Sequence, residues 1–122
     1  MTEIRLKRVY DKAARSDGPR LLVDRVWPRG ISKEEAGLAE WLKGLAPSTD
    51  LRKWFGHDSS RWDGFRERYL QELVSGENGD LGILVKYLEE HDRITLVFAA
   101  KDTEHNNALA LKQFIEAGQL PI

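Results

Sequence analysis

Asp24, Arg25, Trp27 and Arg29 crowd into the segment DRVWPRG, and Lys101, Asp102, His105 and Asn106 into AAKDTEHNN, about eighty positions further on. Together these residue types suit a small anion. Arg25 and Arg29 carry planar donor forks that match a carboxylate or a phosphate. Lys101 is a compact charge able to neutralise negative charge as it develops. Trp27 offers a face for a ring or a guanidinium, and Asn106 adds an amide. Asp24 and His105 are the candidates for moving a proton, His105 because it would stand near the positive end of a helix. Arg52, His57 and Asp102 form a secondary set, the first two approaching from a helical layer.

Each of these residues also has an ordinary structural use. Asp24 beside Arg25 is a common ion pair at a strand end. Asp102 is a natural helix cap, and His105 and Asn106 can bond to neighbouring loops. Trp41, Trp62, Phe65 and Tyr69 recur at helical spacing and belong to a core.

What would bring the two stretches together is a pair of buried strands. RLLVDRV, from Arg20, is apolar until Asp24, and Pro28 and Gly30 end it, because proline cannot pair onward. ITLVFAA, from Ile94, is apolar on both faces, as befits a strand covered by helices on both sides. If the two run parallel as neighbours, their polar ends share the crevice where open α/β sheets bind ligands. EIRLKRVY alternates apolar and charged residues and predicts an edge strand. The turn-rich DKAARSDGP is short for a helical crossover, which leaves the direction of that strand open.

Helical patterns fill the rest. Ser32 and Glu35 form a capping box ahead of a Leu38, Trp41, Leu42 and Leu45 stripe. APSTDLRKWFGHD opens with a proline turn and predicts one short helix. Ser60 or Asp63 starts a helix that faces inward through Trp62, Phe65, Tyr69 and Leu73. SGENGDLG reads as a loop, after which Asp80 caps a helix with Leu81, Leu84, Val85 and Leu88 inward. The last helix begins at Asp102 or Thr103 and stops near Gly118. The expectation is an α/β fold: a small, mostly parallel sheet of three or so strands flanked by four or five helices, in one domain over residues 1–122.

Composition narrows the function classes. Of the 122 residues, 41% are hydrophobic and 32% charged, as in an ordinary globular protein. No apolar run nears the roughly 20 residues of a membrane helix, and MTEIRLKRVY has no signal-peptide stretch. With no cysteine there is no disulfide, thiolate nucleophile or Cys-bound zinc, and a reducing cytoplasm fits best. The net charge of −1 divides into +4 over residues 1–29 and −5 over the remainder. A basic N-terminal quarter suits an anion, while a nucleic-acid partner is the weaker alternative for a chain that is not basic overall. Gly76, Gly79 and Gly82 lack the spacing of a phosphate loop, and neither a GxSxG elbow nor an HExxH motif occurs. Three scattered histidines do not build a metal site, so no metal or cofactor is expected.

VDRVWPRG with Ser32-Lys33, WLKGLAPS, LRKWFGHD, RWDGFRERYLQEL and TLVFAAKDTEHNNA, in that order, resemble the YeaO-like branch of the "domain of unknown function 488" family. The resemblance runs from about Ile4 to Leu111. It implies a small intracellular bacterial or archaeal α/β protein, and it brings no established activity with it. Its marked positions fall on Asp24, Arg25, Trp27, Pro28, Arg29, Gly30, Pro47, Ser48, Arg52, His57, Tyr69, Lys101, Asp102, His105 and Asn106. Asn107 stands where a second histidine is also common, which speaks against a metal site built on that histidine. Two functions follow as expectations. One is a small phosphate- or nucleotide-like anion bound at the strand ends, with hydrolysis or group transfer as the chemistry if there is any. The other is a non-catalytic module that contacts a protein or nucleic acid through WPRG and Trp54-Phe55.

Overall fold

The computed structural model describes residues 2–76 and 79–122. Four strands, β1 (Glu3–Arg8), β2 (Arg20–Leu22), β3 (Glu40–Trp41) and β4 (Arg93–Phe98), form one sheet in the order β1-β4-β2-β3. Every pairing is parallel. β1 runs beside β4 from Glu3 opposite Arg93 to Arg8 opposite Phe98, and β2 sets Leu21 opposite Leu96. Among the described residues five α-helices accompany the sheet: α1 (Lys33–Ala36), α2 (Thr49–Phe55), α3 (Trp62–Ser75), α4 (Gly79–Glu90) and α5 (Asn107–Glu116). The fold is therefore α/β with a parallel sheet, and the first strand, left without a direction by its sequence, lies parallel at an edge. The predicted loop SGENGDLG includes residues 77–78, which lie outside the described residues.

The two sheet faces are covered differently. Alternation along β4 sends Ile94, Leu96 and Phe98 to one side, where they pack with Leu51 and Phe55 of α2, Phe65 and Tyr69 of α3, Leu84 of α4 and Leu111 of α5. Val97 faces the other side, with Val9, Leu22 and Ala36, and with Trp27, Ile31 and Trp41 around them. ITLVFAA is thus buried on both faces, but four of the five helices pack on one of them. The second face is closed by chain connections and the single turn of α1.

The capping box at Ser32 forms, with the Ser32 hydroxyl accepting from the Glu35 N–H and the Glu35 carboxylate from the Ser32 N–H. The helix it opens does not run on to Leu45. Gly37 takes a left-handed φ of 58° and ends α1 after Ala36. The stripe beyond it becomes the short strand β3 and a 3₁₀ turn at Lys43–Leu45. Leu42 and Leu45 are buried all the same, because an extended segment that pairs with β2 can also turn them inward. α5 likewise starts later than Asp102 or Thr103, with Asn106 as its cap. Asp80 lies inside the first turn of α4, and its carboxylate accepts from the Gly44 N–H at 2.7 Å.

Polar bonds hold the connection between β1 and β2 over the second face. Arg20, 2% exposed, donates to the Ala36, Val9 and Asp11 carbonyls and to the Asp17 carboxylate at 3.0 Å. Asp17 also accepts from Lys7 Nζ and the Ala14 N–H, and its carbonyl accepts from the Thr95 hydroxyl. Burial pushes the Asp17 carboxyl up, but the Ala14 N–H, Lys7 and Arg20 outweigh it and hold it below the usual carboxylate range. Next to it, Gly18 sits at φ 62°, and a Cβ there would stand 2.4 Å from the Arg93 carbonyl oxygen.

Arg20→Ala leaves Asp17 with Lys7 and the Ala14 N–H but takes the side-chain donor from three carbonyls, and should cost about 1–3 kcal/mol, read as a lower urea midpoint. Because the folded pKa of Asp17 is depressed, its stabilisation is present above the unfolded value and is lost as pH falls through the folded one. The variant should therefore show a flatter acid limb in stability against pH.

Candidate functional site

The carboxyl ends of β2 and β4 meet at Asp24. One carboxylate oxygen accepts from the Ala99 N–H at 2.9 Å, just past β4. The other accepts from the Asn107 amide at 3.2 Å, and the same amide donates to the Val23 carbonyl at 2.8 Å. Asp24 thus fastens the two strand ends and the first turn of α5 together. Burial raises its carboxyl above the usual range, opposed by the Ala99 N–H, the Asn107 amide and the Arg52 charge. It forms no ion pair with Arg25.

Arg25 turns elsewhere. Its guanidinium donates to the Pro47 and Ala46 carbonyls, both at 3.2 Å, and so fixes the segment that leads into α2. The Ser48 hydroxyl caps α2 by accepting from the Leu51 N–H, and itself donates to Glu72 of α3 at 2.6 Å. Anchored in this way, α2 presents Thr49, Arg52 and Lys53 at i, i+3 and i+4, one face of the helix. Gly56 ends α2, and His57 follows at φ 58°, the only non-glycine residue with positive φ among the described residues.

Opposite α2 lies the turn from β4 to α5. One Asp102 oxygen accepts from the Glu104 and His105 N–H groups, and the other meets His105 Nδ1 at 2.9 Å. Those bonds, the Glu104 N–H foremost, hold the Asp102 carboxyl below its ordinary value. His105 therefore precedes α5, and a carboxylate fixes its ring. The ring stands edge-on to Trp62, with centroids 5.4 Å apart. Asn106, 2% exposed, donates to the Asp102 carbonyl and accepts from the Leu109 N–H, so both ends of its amide are engaged.

Between these elements lie two adjoining hollows. A cleft of about 250 Å³ is lined by Pro47, Thr49, Arg52, Lys53, Phe55, His57, Phe65, Ala100, His105, Asn106 and Asn107. A more open hollow of about 570 Å³ adds Asp24, Ala99, Lys101 and Asp102, and shares Arg52, His57, Ala100 and Asn107 with the first. Of the residues singled out in the sequence, Asp24, Arg52, His57, Lys101, Asp102, His105 and Asn106 line one hollow or the other. Arg25, Trp27 and Arg29 line neither. The Trp27 indole N–H donates to the Ile31 carbonyl, and its ring packs edge-on against Trp41 over the second sheet face. The Arg29 carbonyl accepts from the Tyr10 hydroxyl while its side chain is exposed.

Lys53 is not singled out by the sequence reading, which weighs Asn107 only as the place of a missing histidine, Phe55 only as part of a contact patch and Phe65 only as core. Their meeting in one cleft is invisible without the fold, but the spacing of Thr49, Arg52 and Lys53 behind the Ser48 cap was a usable signal. Trp54 does not join WPRG in a patch. It packs with the first face, its ring lies over Gly64, and Arg61 and Arg68 sit against it at 5.4 and 4.0 Å from the ring centre.

A small α/β protein whose polar site lies at the ends of two parallel strands is what fold and site define together. The chain belongs to the DUF488 family: the description "Inactive DUF488-N3 subclade" matches residues 3–120. It is 44% identical to the uncharacterized protein YeaO of Escherichia coli (strain K12) over 114 residues, which cover 93% of this chain and 97% of that protein. It is 38% identical to the uncharacterized protein Rv3073c of Mycobacterium tuberculosis (strain ATCC 25618 / H37Rv), covering 93% of this chain and 94% of the relative. No solved structure matches the chain. No helix among the described residues is long and apolar enough to cross a membrane.

Two variants check the geometry of the site. Because burial raises the folded pKa of Asp24, wild-type stability should fall as pH rises from the unfolded carboxylate value through the folded one. Asp24→Asn should remove that decline, read as the difference between the two stability–pH curves. His57→Gly relieves a left-handed side chain and should raise stability by about 0.5–1 kcal/mol, measured by chemical denaturation.

Proposed function

We propose that the protein binds a small phosphate-like anion in the cleft between α2 and the β4–α5 turn, without turning it over. The observation that carries this is the set of cations around the two hollows. Arg52, Lys53 and Lys101 are exposed there, and none of them is in an ion pair among the described residues. An unpaired guanidinium beside ammonium groups at the rim of a concave site is the arrangement that takes up an anion and gives it a defined orientation. The His57 backbone conformation adds support, since side chains held at positive φ gather at ligand sites.

The Asp102–His105 couple has the form of an oriented base. No side-chain nucleophile among the described residues is hydrogen-bonded to the His105 ring. The chain has no cysteine, and Thr49 carries the one hydroxyl among the described residues that line the cleft. The subclade description, with its word "inactive", points the same way. In a binding protein, the Asp102 carboxylate fixes the ring of His105 as a wall of the cleft. The contact-module alternative has less to stand on, because Trp27 and Trp54 pack against opposite sheet faces.

Thermal unfolding with inorganic phosphate, pyrophosphate and nucleoside monophosphates tests the proposal. A ligand at a hundred times its Kd adds about 2.7 kcal/mol, and each kcal/mol moves the midpoint by roughly 3–6 °C in a chain of this size. The expected result is a concentration-dependent rise that Arg52→Ala removes while circular dichroism is unchanged. A midpoint that no phosphate moves, or an identical rise in Arg52→Ala, overturns it. Salt-sensitive retention on nucleic acid that survives Arg52→Ala would direct attention to the basic N-terminal quarter instead.

A further inference from the structure

We infer that anion binding at this site is coupled to proton uptake by Asp24, so that the site holds its ligand more tightly in mild acid than at neutral pH. This rests on the anion-binding proposal above and names a control on that same site. Asp24 lines the open hollow together with Arg52, and Arg52 also lines the adjoining cleft. An anion paired with Arg52 therefore competes with the Asp24 carboxylate for the charge of one guanidinium.

The partners of Asp24 make it responsive. Its two oxygens accept from the Ala99 N–H and the Asn107 amide, both neutral donors. Among the described residues it forms no ion pair. Arg52 of α2 is the cation whose field favours the ionised carboxyl against its burial. The other charged groups that face it are engaged or exposed. Arg25, its neighbour in the chain, commits its guanidinium to the Pro47 and Ala46 carbonyls. From α3, Tyr69 is buried and keeps its proton, which it donates to the Leu45 carbonyl, and Glu72 is bonded to Ser48. On the β4–α5 turn, the Glu104 N–H and His105 keep the Asp102 carboxyl below its ordinary value, and Lys101 is exposed. His57 and His105 are the imidazoles of the site.

An anion on Arg52 cancels the field that favours ionised Asp24 and adds a like charge at the same partly buried place. Both effects favour the neutral acid. Each Asp24 oxygen already accepts a hydrogen bond and keeps a lone pair on which a proton from solvent can settle. By reciprocity, the factor by which the anion strengthens proton binding is the factor by which the proton strengthens anion binding.

Calorimetric titration of the full chain with sulfate tests this, because sulfate keeps one charge state across the range and phosphate does not. Titrations in two buffers of different ionisation enthalpy count the protons taken up. The His57→Gln/His105→Gln double variant removes the imidazoles as a source of protonation. In it, sulfate should bind at least threefold tighter at about pH 5 than at about pH 7.5, the size expected when a carboxyl pKa rises by about one unit, with net proton uptake. Asp24→Asn in that background should bind sulfate nearly equally at both pH values and take up no proton. Equal affinities at the two pH values in the double variant would overturn the inference and leave the anion site standing. So would a pH dependence that Asp24→Asn does not diminish, since another group would then carry the proton. Should Asp24→Asn fail to fold, the proton count of the double variant decides, and no uptake at about pH 5 overturns the inference. If sulfate binds at neither pH, the anion site fails, and this inference with it.

Discussion

The site depends on one carboxylate that ends two strands at once. Parallel strands finish with unpaired backbone groups on the same edge, and something must satisfy them. Asp24 does so across the β2–β4 seam through the Ala99 N–H, and the Asn107 amide closes the same junction from α5. Had β2 paired antiparallel, its end would lie at the far edge of the sheet. The position of α5, the β4–α5 turn and the floor of the open hollow all follow from that parallel register.

From there the site is assembled in steps of decreasing anchorage, since Arg25 is exposed but has its guanidinium bonded. Arg25 reaches out of the seam to two carbonyls and sets where α2 begins, and Glu72 holds the Ser48 cap from α3. Only then come the exposed side chains, Arg52, Lys53, His57 and Lys101. The well-anchored residues beneath are therefore scaffold, and the chemistry available to a ligand belongs to the rim.

Much of this was legible before the fold was known. The two apolar runs that end in Asp24 and in Lys101-Asp102 required strands, and their shared edge followed from parallel pairing. Helix periodicity misled where Leu38, Trp41, Leu42 and Leu45 imitate a stripe, because Gly37 stops the helix and the residues beyond it pair with β2 instead. Arg25, Trp27 and Arg29 were grouped with the site because their types suit an anion. Arg25 and Trp27 are held by backbone carbonyls at Ala46, Pro47 and Ile31, and Arg29 offers its own carbonyl to Tyr10, acceptors that every residue carries and that no sequence pattern marks. Burial on both faces of β4 was readable, but the kind of cover on each face was not.

That unequal cover has a dynamic consequence. The helical side is one continuous apolar mass, whereas on the opposite side, beside a smaller apolar cluster of Val9, Leu22, Ala36 and Val97, the connection from β1 to β2 is a strap tied down through Asp17 to Arg20 and Thr95. A strap held by a few polar ties can lift without dissolving the helical layer. In hydrogen exchange, amides of residues 10–18 would then open by local detachment, well before those of α3 and β4, whose protection would report global unfolding.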